Sequence, residues 1–531
     1  MSVTRPRLVA CLLVAFIALL AASMALLPGV AFWDTGELQA VGPLMGTAHP
    51  TGFPTYVLLA WLASVVLQPF GEPAFRMNLL SALCLAVAAG VTVDLVRALT
   101  GHLVLGIAAG IAMALTPIAW AIGTHAETHS LHLALVAILL WLLVAWERRS
   151  RSEGRATGVD TADRGDRFLI AAAIVFGLAV GNHSLTLLLA VPVGLFVLAV
   201  YPGIWRRGRL IASCLAALAI TVVLVYLELP LRAGPFRAAL VYGTPNTWEG
   251  FKYIVLAEQF QGSLSHPFDE LPRKFGELVG RTAAQFGILA PLIPVAFLVT
   301  ALRRPRYGLL TGSAVAITCF FSASYVNADI NRYYLGPALM AWTWVAILAA
   351  AVVEPLRRVA SDAPAAGTTL ARAAPADTRD DPFGRRTRAG LIATLIAVAL
   401  VAPTLIAIPT RYPTIDSRRR LEAVTWTAHV VATLAPDAVI VSWWSYSTPL
   451  WYAQRVEGER PDVTIIDDRT RLDENLGGLT DVIDANLGKR PVYVIRDDRN
   501  EVALLASRYD LQYIDGSDAS ALTRVIGLKG S

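Results

Sequence analysis

Thr55-Tyr56-Val57-Leu58-Leu59-Ala60-Trp61-Leu62-Ala63-Ser64-Val65-Val66-Leu67-Gln68-Pro69 is the segment on which the fold turns. It is apolar, yet as a helix it reaches only roughly 22 Å against a hydrocarbon core of about 30 Å. Other apolar runs of near-spanning length lie at 8–28, 77–97, 103–121, 131–146, 168–201, 210–228, 286–302, 308–324, 333–353 and 390–408. The run 168–201 is too long for one crossing and carries Asn182 and His183 at its middle, so it splits and the crossings become eleven. If 55–69 stays out of the membrane, Arg5 and Arg7, Arg97, Arg148 to Arg151, Arg206 to Arg209, Arg303 to Arg306 and the arginines from Arg357 to Arg388 all lie on the cytoplasmic side. If it crosses, every cluster after the first moves outside. The segment therefore reads as an interfacial or re-entrant helix on the external face, its start shaped by Pro50 and Pro54.

Composition agrees with a polytopic α-helical membrane protein: 531 residues, 55% hydrophobic and 16% charged, with mean hydropathy +0.55. The pI near 9.0 comes from short basic clusters between apolar runs, which excludes an extended nucleic-acid face. Cys11, Cys84, Cys214 and Cys319 all fall in apolar stretches and read as small buried hydrophobes. The first run follows Arg5 and Arg7 and is expected to be a retained helix rather than a cleaved leader.

The expected organisation is a transmembrane unit over 1–353 with external loops 29–76 and 229–285, a disordered cytoplasmic linker at 354–388, a last crossing at 389–410 and an external soluble α/β unit at 411–531. Strands are expected at 438–442, 463–467, 491–496 and 511–514, and no glycine-rich phosphate loop follows any of them.

With this topology the ionisable residues gather on one side. Asp34, Glu37 and His49 lie in Phe32-Trp33-Asp34-Thr35-Gly36-Glu37 and His49-Pro50-Thr51-Gly52-Phe53-Pro54 of the first external loop; Glu127 lies between His125 and His129; Asn182-His183, Arg232, Tyr242, Gln259, Asp329 and Arg332 are external too. Acids beside a membrane helix are costly unless used, and several loops converging them on one face is the pattern of a site at the membrane surface. Each has a plainer use. Asp34 or Glu37 would suit the first turn of a helix beginning near Thr35. Asn182-His183 would satisfy backbone groups at a helix break, and Arg232 or Arg332 would anchor at the interface. His125 and His129 around Glu127 have zinc-like spacing but lack a third ligand, so a divalent ion is left open and no cofactor is assigned.

Asp34-x-Gly36-Glu37, His49-Pro50-x-Gly52-x-Pro54, Arg76-Met77-Asn78-Leu79-Leu80-Ser81-Ala82, Glu127, Gly181-Asn182-His183, Leu229-Pro230-Leu231-Arg232 and Arg332-Tyr333-Tyr334, taken in order, resemble the GT-C-type membrane glycosyltransferases that include the animal O-mannosyltransferase of plexin IPT domains. The likeness runs over about 25–355, and Leu450-Trp451-Tyr452 with Arg460-Pro461-Asp462-Val463 extends it. Thr51 stands where the family commonly has proline, and Thr128-His129 where it has Val-Tyr. The resemblance implies a bacterial-type enzyme of the inner membrane that moves a sugar from a polyprenyl-phosphate donor to an acceptor hydroxyl outside, with inversion. It implies Asp34 as base, Glu37 as its partner or orienter, Arg232 and Arg332 as phosphate contacts, and His49, Glu127 and His183 as further substrate-binding residues. The competing classes are a transporter or flippase, which needs acids within the spans, and a scaffold that binds a partner through Trp443, Trp444, Tyr446, Trp451 and Tyr452.

Overall fold

The computed structural model describes residues 5–156, 163–266, 268–327, 329–362, 382–496, 498–514 and 521–530. Among the described residues seven helices are long and apolar enough to cross a membrane, or nine if two bent pairs each form one span. Leu103–Ala114 and Ser184–Val200 are shorter apolar helices. Together these elements fall on the ten apolar runs of the sequence, with the run 168–201 split in two. Small residues let them approach closely: a Cβ on Gly106 would stand 2.3 Å from Val93 O and one on Gly110 2.9 Å from Ala89 O, and Ala10, Val14, Ala18 and Ala22 are the buried stripe of the first helix, Arg5–Ser23. That helix packs on Pro73–Thr100 and is an integral part of the bundle.

Pro54–Val66 does not run down the bundle. Its first turn meets the end of Asp163–Asn182, where Thr55 Oγ1 donates to Leu178 O at 2.8 Å. Its last turn sits beside the start of Pro73–Thr100, with Arg76 donating to Ser64 O at 2.8 Å and Gly71 O at 2.6 Å. The neighbouring Ala74 N–H donates to Tyr452 Oη of the C-terminal unit at 3.0 Å. Both ends of this helix therefore lie at one end of the bundle, which the C-terminal unit covers.

The arginine clusters mark the other end. Asp94 accepts from Arg7, from Arg97 Nε at 2.6 Å and from Trp141 Nε1 at 2.6 Å. Arg148 donates to Ala98 O, Arg303 pairs with Glu354, and Arg207 with Asp166.

Two expected boundaries change. The run 286–302 is preceded by helix, Leu271–Leu289, which meets Leu292–Arg303 at 82°. Arg273, Lys274, Glu277 and Arg281 make that first arm too charged for lipid, so the chain turns before entering the bundle. Helix also runs on to Asp362 and resumes at Pro382, within the stretch expected as a linker; residues 363–381 lie outside the described residues.

The C-terminal unit holds a five-stranded sheet, β1 Val439–Val441, β2 Thr464–Ile466, β3 Val492–Val494, β4 Tyr509–Tyr513 and β5 Thr523–Leu528, in the order β2-β1-β3-β5-β4. β1 is parallel to β2 and β3, and β5 is antiparallel to β3 and β4. Three strands fall on expected ones and β4 overlaps the fourth. β5 was not foreseen, since its place between β3 and β4 depends on non-local pairing. The unit docks on the first loop through Phe32, whose ring lies edge-on to Trp426 and Tyr446 at 5.3 and 5.6 Å.

Asp94→Asn would leave the buried Arg7 guanidinium without its counter-charge. A loss of about 3–5 kcal/mol is expected, read as an earlier thermal unfolding midpoint in detergent; an unchanged midpoint would show that Asp94 does not hold this end together.

Candidate active site

The helix carrying the first two acids, Trp33–Leu44, starts abruptly. Phe32 is extended, Trp33 is in the left-handed region at φ 60°, and no side chain caps the helix. Asp34 is thus in the first turn but is not spent as a cap. Gly36 is required by close approach, since a Cβ there would stand 2.1 Å from Ala31 O and 2.7 Å from Thr448 Oγ1 of the C-terminal unit.

A buried amide pair sets the loops around this helix. Gln39 Nε2 donates to Asn78 Oδ1 (2.9 Å) and Gly29 O (3.0 Å), and Ala31 N–H donates to Gln39 Oε1. Asn78 Nδ2 donates to Leu27 O, and Ala126 N–H donates to Asn78 Oδ1. Ser81 Oγ accepts from Glu127 N–H at 3.1 Å. The Arg76-to-Ala82 motif is therefore architectural: it fixes the first loop and the Glu127 turn against one helix.

Arg332, in the turn Ile330–Tyr334, joins those two loops. Its Nη2 donates to Asp34 Oδ2 at 2.8 Å and its Nη1 to Glu127 Oε2 at 2.7 Å. Glu127 Oε1 is 2.9 Å from His129 Nδ1 and accepts from His129 N–H at 3.2 Å. Burial by itself would raise the Glu127 pKa, but Arg332 and then His129 hold it well below the usual carboxylate range.

Glu37 does not partner Asp34, contrary to expectation. It is 1% exposed, and His49 takes both its oxygens, the backbone N–H on Oε1 at 3.0 Å and Nδ1 on Oε2. Burial disfavours the imidazolium, yet Glu37 and then Asp34 outweigh it and lift the His49 pKa to about 9. Arg232 departs from its expected role as well: Nε and Nη2 donate to Met45 O (2.7 Å) and Leu44 O (3.1 Å), so it closes the C-terminal end of the helix that carries Asp34 and Glu37. His183 serves the helix break, as expected, and faces the cavity. Its Nδ1 accepts from Leu185 N–H at the helix break, and its ring lines the cavity 4.6 Å from that of His129. Asn182 Nδ2 donates to Thr128 O.

Asp34, His49, Glu127, His129, His183 and Arg332 line one cavity of about 1170 Å³. One wall is apolar, with Leu185, Leu187, Leu188, Leu264 and Phe321. Trp443, Trp444, Asp468, Arg469 and Leu472 close it from the C-terminal unit. Arg469 was missed in the sequence. It lies over the rings of Tyr242 and Tyr253 at 5.0 and 4.5 Å, donates to Tyr253 Oη at 2.8 Å and pairs with Asp473. Its position just after β2 is the usual ligand-facing edge of an α/β sheet, which was the available signal. Among the described residues no group of three or more His, Cys, Asp or Glu side chains converges as a metal site. Between Asp34 and Glu127 stands the Arg332 guanidinium instead.

Residues 34–202 match the sequence profile of the protein O-mannosyl-transferase TMEM260 N-terminal domain. The mouse (Mus musculus) protein O-mannosyl-transferase TMEM260 is 30% identical over 235 residues, 43% of this chain and 31% of that protein. The Dictyostelium discoideum protein of the same name is 24% identical over 259 residues, 48% of this chain and 31% of that protein. The chain thus spans about a third of the length of these curated relatives. The fold as a whole is that of the GT-C membrane glycosyltransferases. ArnT from Cupriavidus metallidurans superposes with TM-score 0.57 in its apo structure and 0.56 in its structure bound to undecaprenyl phosphate, with 14% identity and 97% of both chains covered. The Archaeoglobus fulgidus oligosaccharyltransferase gives 0.50 at 13% identity, covering 98% of this chain and 74% of the other.

His49 carries a pH signature. A folded-state pKa above the ordinary 6.5 stabilises the fold fully below pH 6.5, and that contribution is lost as pH rises toward about 9. Thermal melts of wild type should fall across that window, and Glu37→Gln should flatten the fall. Equal slopes would refute the Glu37–His49 coupling.

Proposed function

We propose that the protein is a GT-C glycosyltransferase of a bacterial inner membrane. It moves a sugar, mannose being the one the relatives' names support, from a polyprenyl-phosphate carrier to an acceptor hydroxyl on the outer face, with inversion. The observation that carries this reading is the cavity itself: a carboxylate at its polar end, an apolar wall of leucines for a lipid chain, and a roof from a water-soluble unit. The match of residues 34–202 to the TMEM260 N-terminal domain and the undecaprenyl phosphate bound by ArnT support the same donor class. The arginine clusters at the opposite end favour an external site by the positive-inside rule.

Asp34 is the base. Arg332 holds its Oδ2, while Oδ1 has no partner among the described residues and the side chain is 29% exposed beside the cavity. Deprotonating the attacking hydroxyl in the transition state is worth typically 10² to 10⁴ in rate. Glu127 shares the guanidinium and so keeps Asp34 aimed. Asp94, an acid lying inside a span, is consumed by Arg7, Arg97 and Trp141 and so offers no free carboxylate to a transport path.

A divalent ion between Asp34 and Glu127 would have to displace Arg332, so the fixed cation of the polar end is the guanidinium. Arg332→Met should open that position, giving Mn²⁺ binding by electron paramagnetic resonance in the variant and none in wild type; wild-type binding there would reverse this assignment. Purified protein should transfer mannose from polyprenyl-phosphate mannose to a hydroxyl acceptor, and Asp34→Asn should lower turnover by about 10²- to 10⁴-fold. Equal turnover by both would remove Asp34 as base.

A further inference from the structure

We infer that His49, held by Glu37, is the site that receives the lipid phosphate and supplies a hydrogen-bonding proton to its departing oxygen. This rests on the proposed sugar transfer and names the phosphate subsite within it.

The cations around the cavity leave a single candidate. Arg232 is turned to the carbonyls of Leu44 and Met45 and does not line the cavity. Both terminal nitrogens of Arg332 are engaged by Asp34 and Glu127. Arg469 is held by Tyr253 Oη and Asp473 between two tyrosine rings. The Arg332, Asp34 and Glu127 cluster carries a net negative charge when both acids are ionised, so it would repel a phosphate that nothing else received. Arg332 and Arg469 each keep one unpaired donor, Nε, but it is buried out of reach of solvent, so among the described cavity residues His49 is the cation with a donor left for a ligand.

Its geometry suits that task. A carboxylate only accepts hydrogen bonds, so the contact of Nδ1 with Glu37 places a proton on Nδ1 and leaves Nε2 as the ring's other polar atom. Glu37 is buried and absent from the cavity lining, whereas His49 lines it. The imidazole is fixed by the rings of Phe53, Tyr242, Phe260 and Trp444, at 5.0, 6.5, 6.4 and 5.6 Å. The charges acting on it are Glu37, Asp34 and Arg332, and the two acids prevail, keeping the ring cationic at neutral pH. This is the carboxylate–imidazole arrangement that fixes a tautomer and raises basicity.

In the reaction the acceptor oxygen bonds to the anomeric carbon and its proton goes to Asp34. The bond from that carbon to the phosphate oxygen breaks, and its electron pair stays on the phosphate. Nε2–H of His49 donates to that oxygen as its charge develops. Net, the hydroxyl proton leaves through Asp34 and the lipid leaves as its phosphate; Asp34 and His49 return to their starting states by exchange with solvent.

The test is binding of undecaprenyl phosphate to the full chain in detergent, followed by tryptophan fluorescence from pH 7.5 to 10, where the phosphate itself is dianionic. Wild type should bind and lose affinity as pH passes about 9. His49→Gln should bind at least tenfold more weakly with no such pH dependence, Glu37→Gln should shift the loss to lower pH by more than a unit, and Asp34→Asn should still bind. Binding by His49→Gln within twofold of wild type, or an unmoved profile in Glu37→Gln, overturns the assignment while leaving sugar transfer standing. No binding by wild type at any pH sinks the lipid-phosphate donor and this subsite with it.

Discussion

The guanidinium of Arg332 is the tie on which the site depends. Its planar fork matches two carboxylates delivered by separate elements, Asp34 from the first loop and Glu127 from the second. Buried charges of this kind persist only when paired, and each partner would be costly to leave alone. One residue thereby sets the spacing of two acids that no local geometry relates, and the buried Gln39–Asn78 amides fix the backbones that carry them.

Around that tie, charge and apolar surface are separated. Carboxylates, histidines and Arg332 form one end of the cavity, leucines and Phe321 its flank, and Trp443, Trp444 and Arg469 its roof. A lipid carrying a phosphate and a sugar has the same sequence of chemistries. The roof gives the α/β unit its place in the site: the carboxyl edges of β1 and β2 present Trp443, Trp444 and Arg469 to the cavity.

Much of this was legible in the sequence. The apolar runs, the arginine clusters and the short 55–69 segment led to a bundle with one helix kept at its end, and contacts at both ends of Pro54–Val66 agree. Of the site residues, Asp34, His49, Glu127, His183 and Arg332 do converge. Arg232 was misread because an arginine in an external loop suits a phosphate as well as a helix end, and only position distinguishes them. Glu37 was misread because two acids three residues apart suggest a pair, whereas Arg332 takes Asp34 and His49 takes both oxygens of the buried Glu37. Arg469 lies in a different unit from the rest of the site, so no local pattern linked it to them.

By itself the sequence determined the membrane class, the number and order of apolar helices, and the end of the bundle at which ionisable residues collect. Hydrophobic length and charge asymmetry are properties of short segments, so they are written locally. The tertiary structure alone decided which acid meets Arg332, that Glu37 serves His49, that Arg232 closes a helix, and that the C-terminal unit roofs the cavity. Those are pairings between groups far apart in the chain, 298 positions for Asp34 and Arg332. Which pairs form depends on how the helices pack, because a buried charge takes whichever counter-charge the packing brings within hydrogen-bond reach.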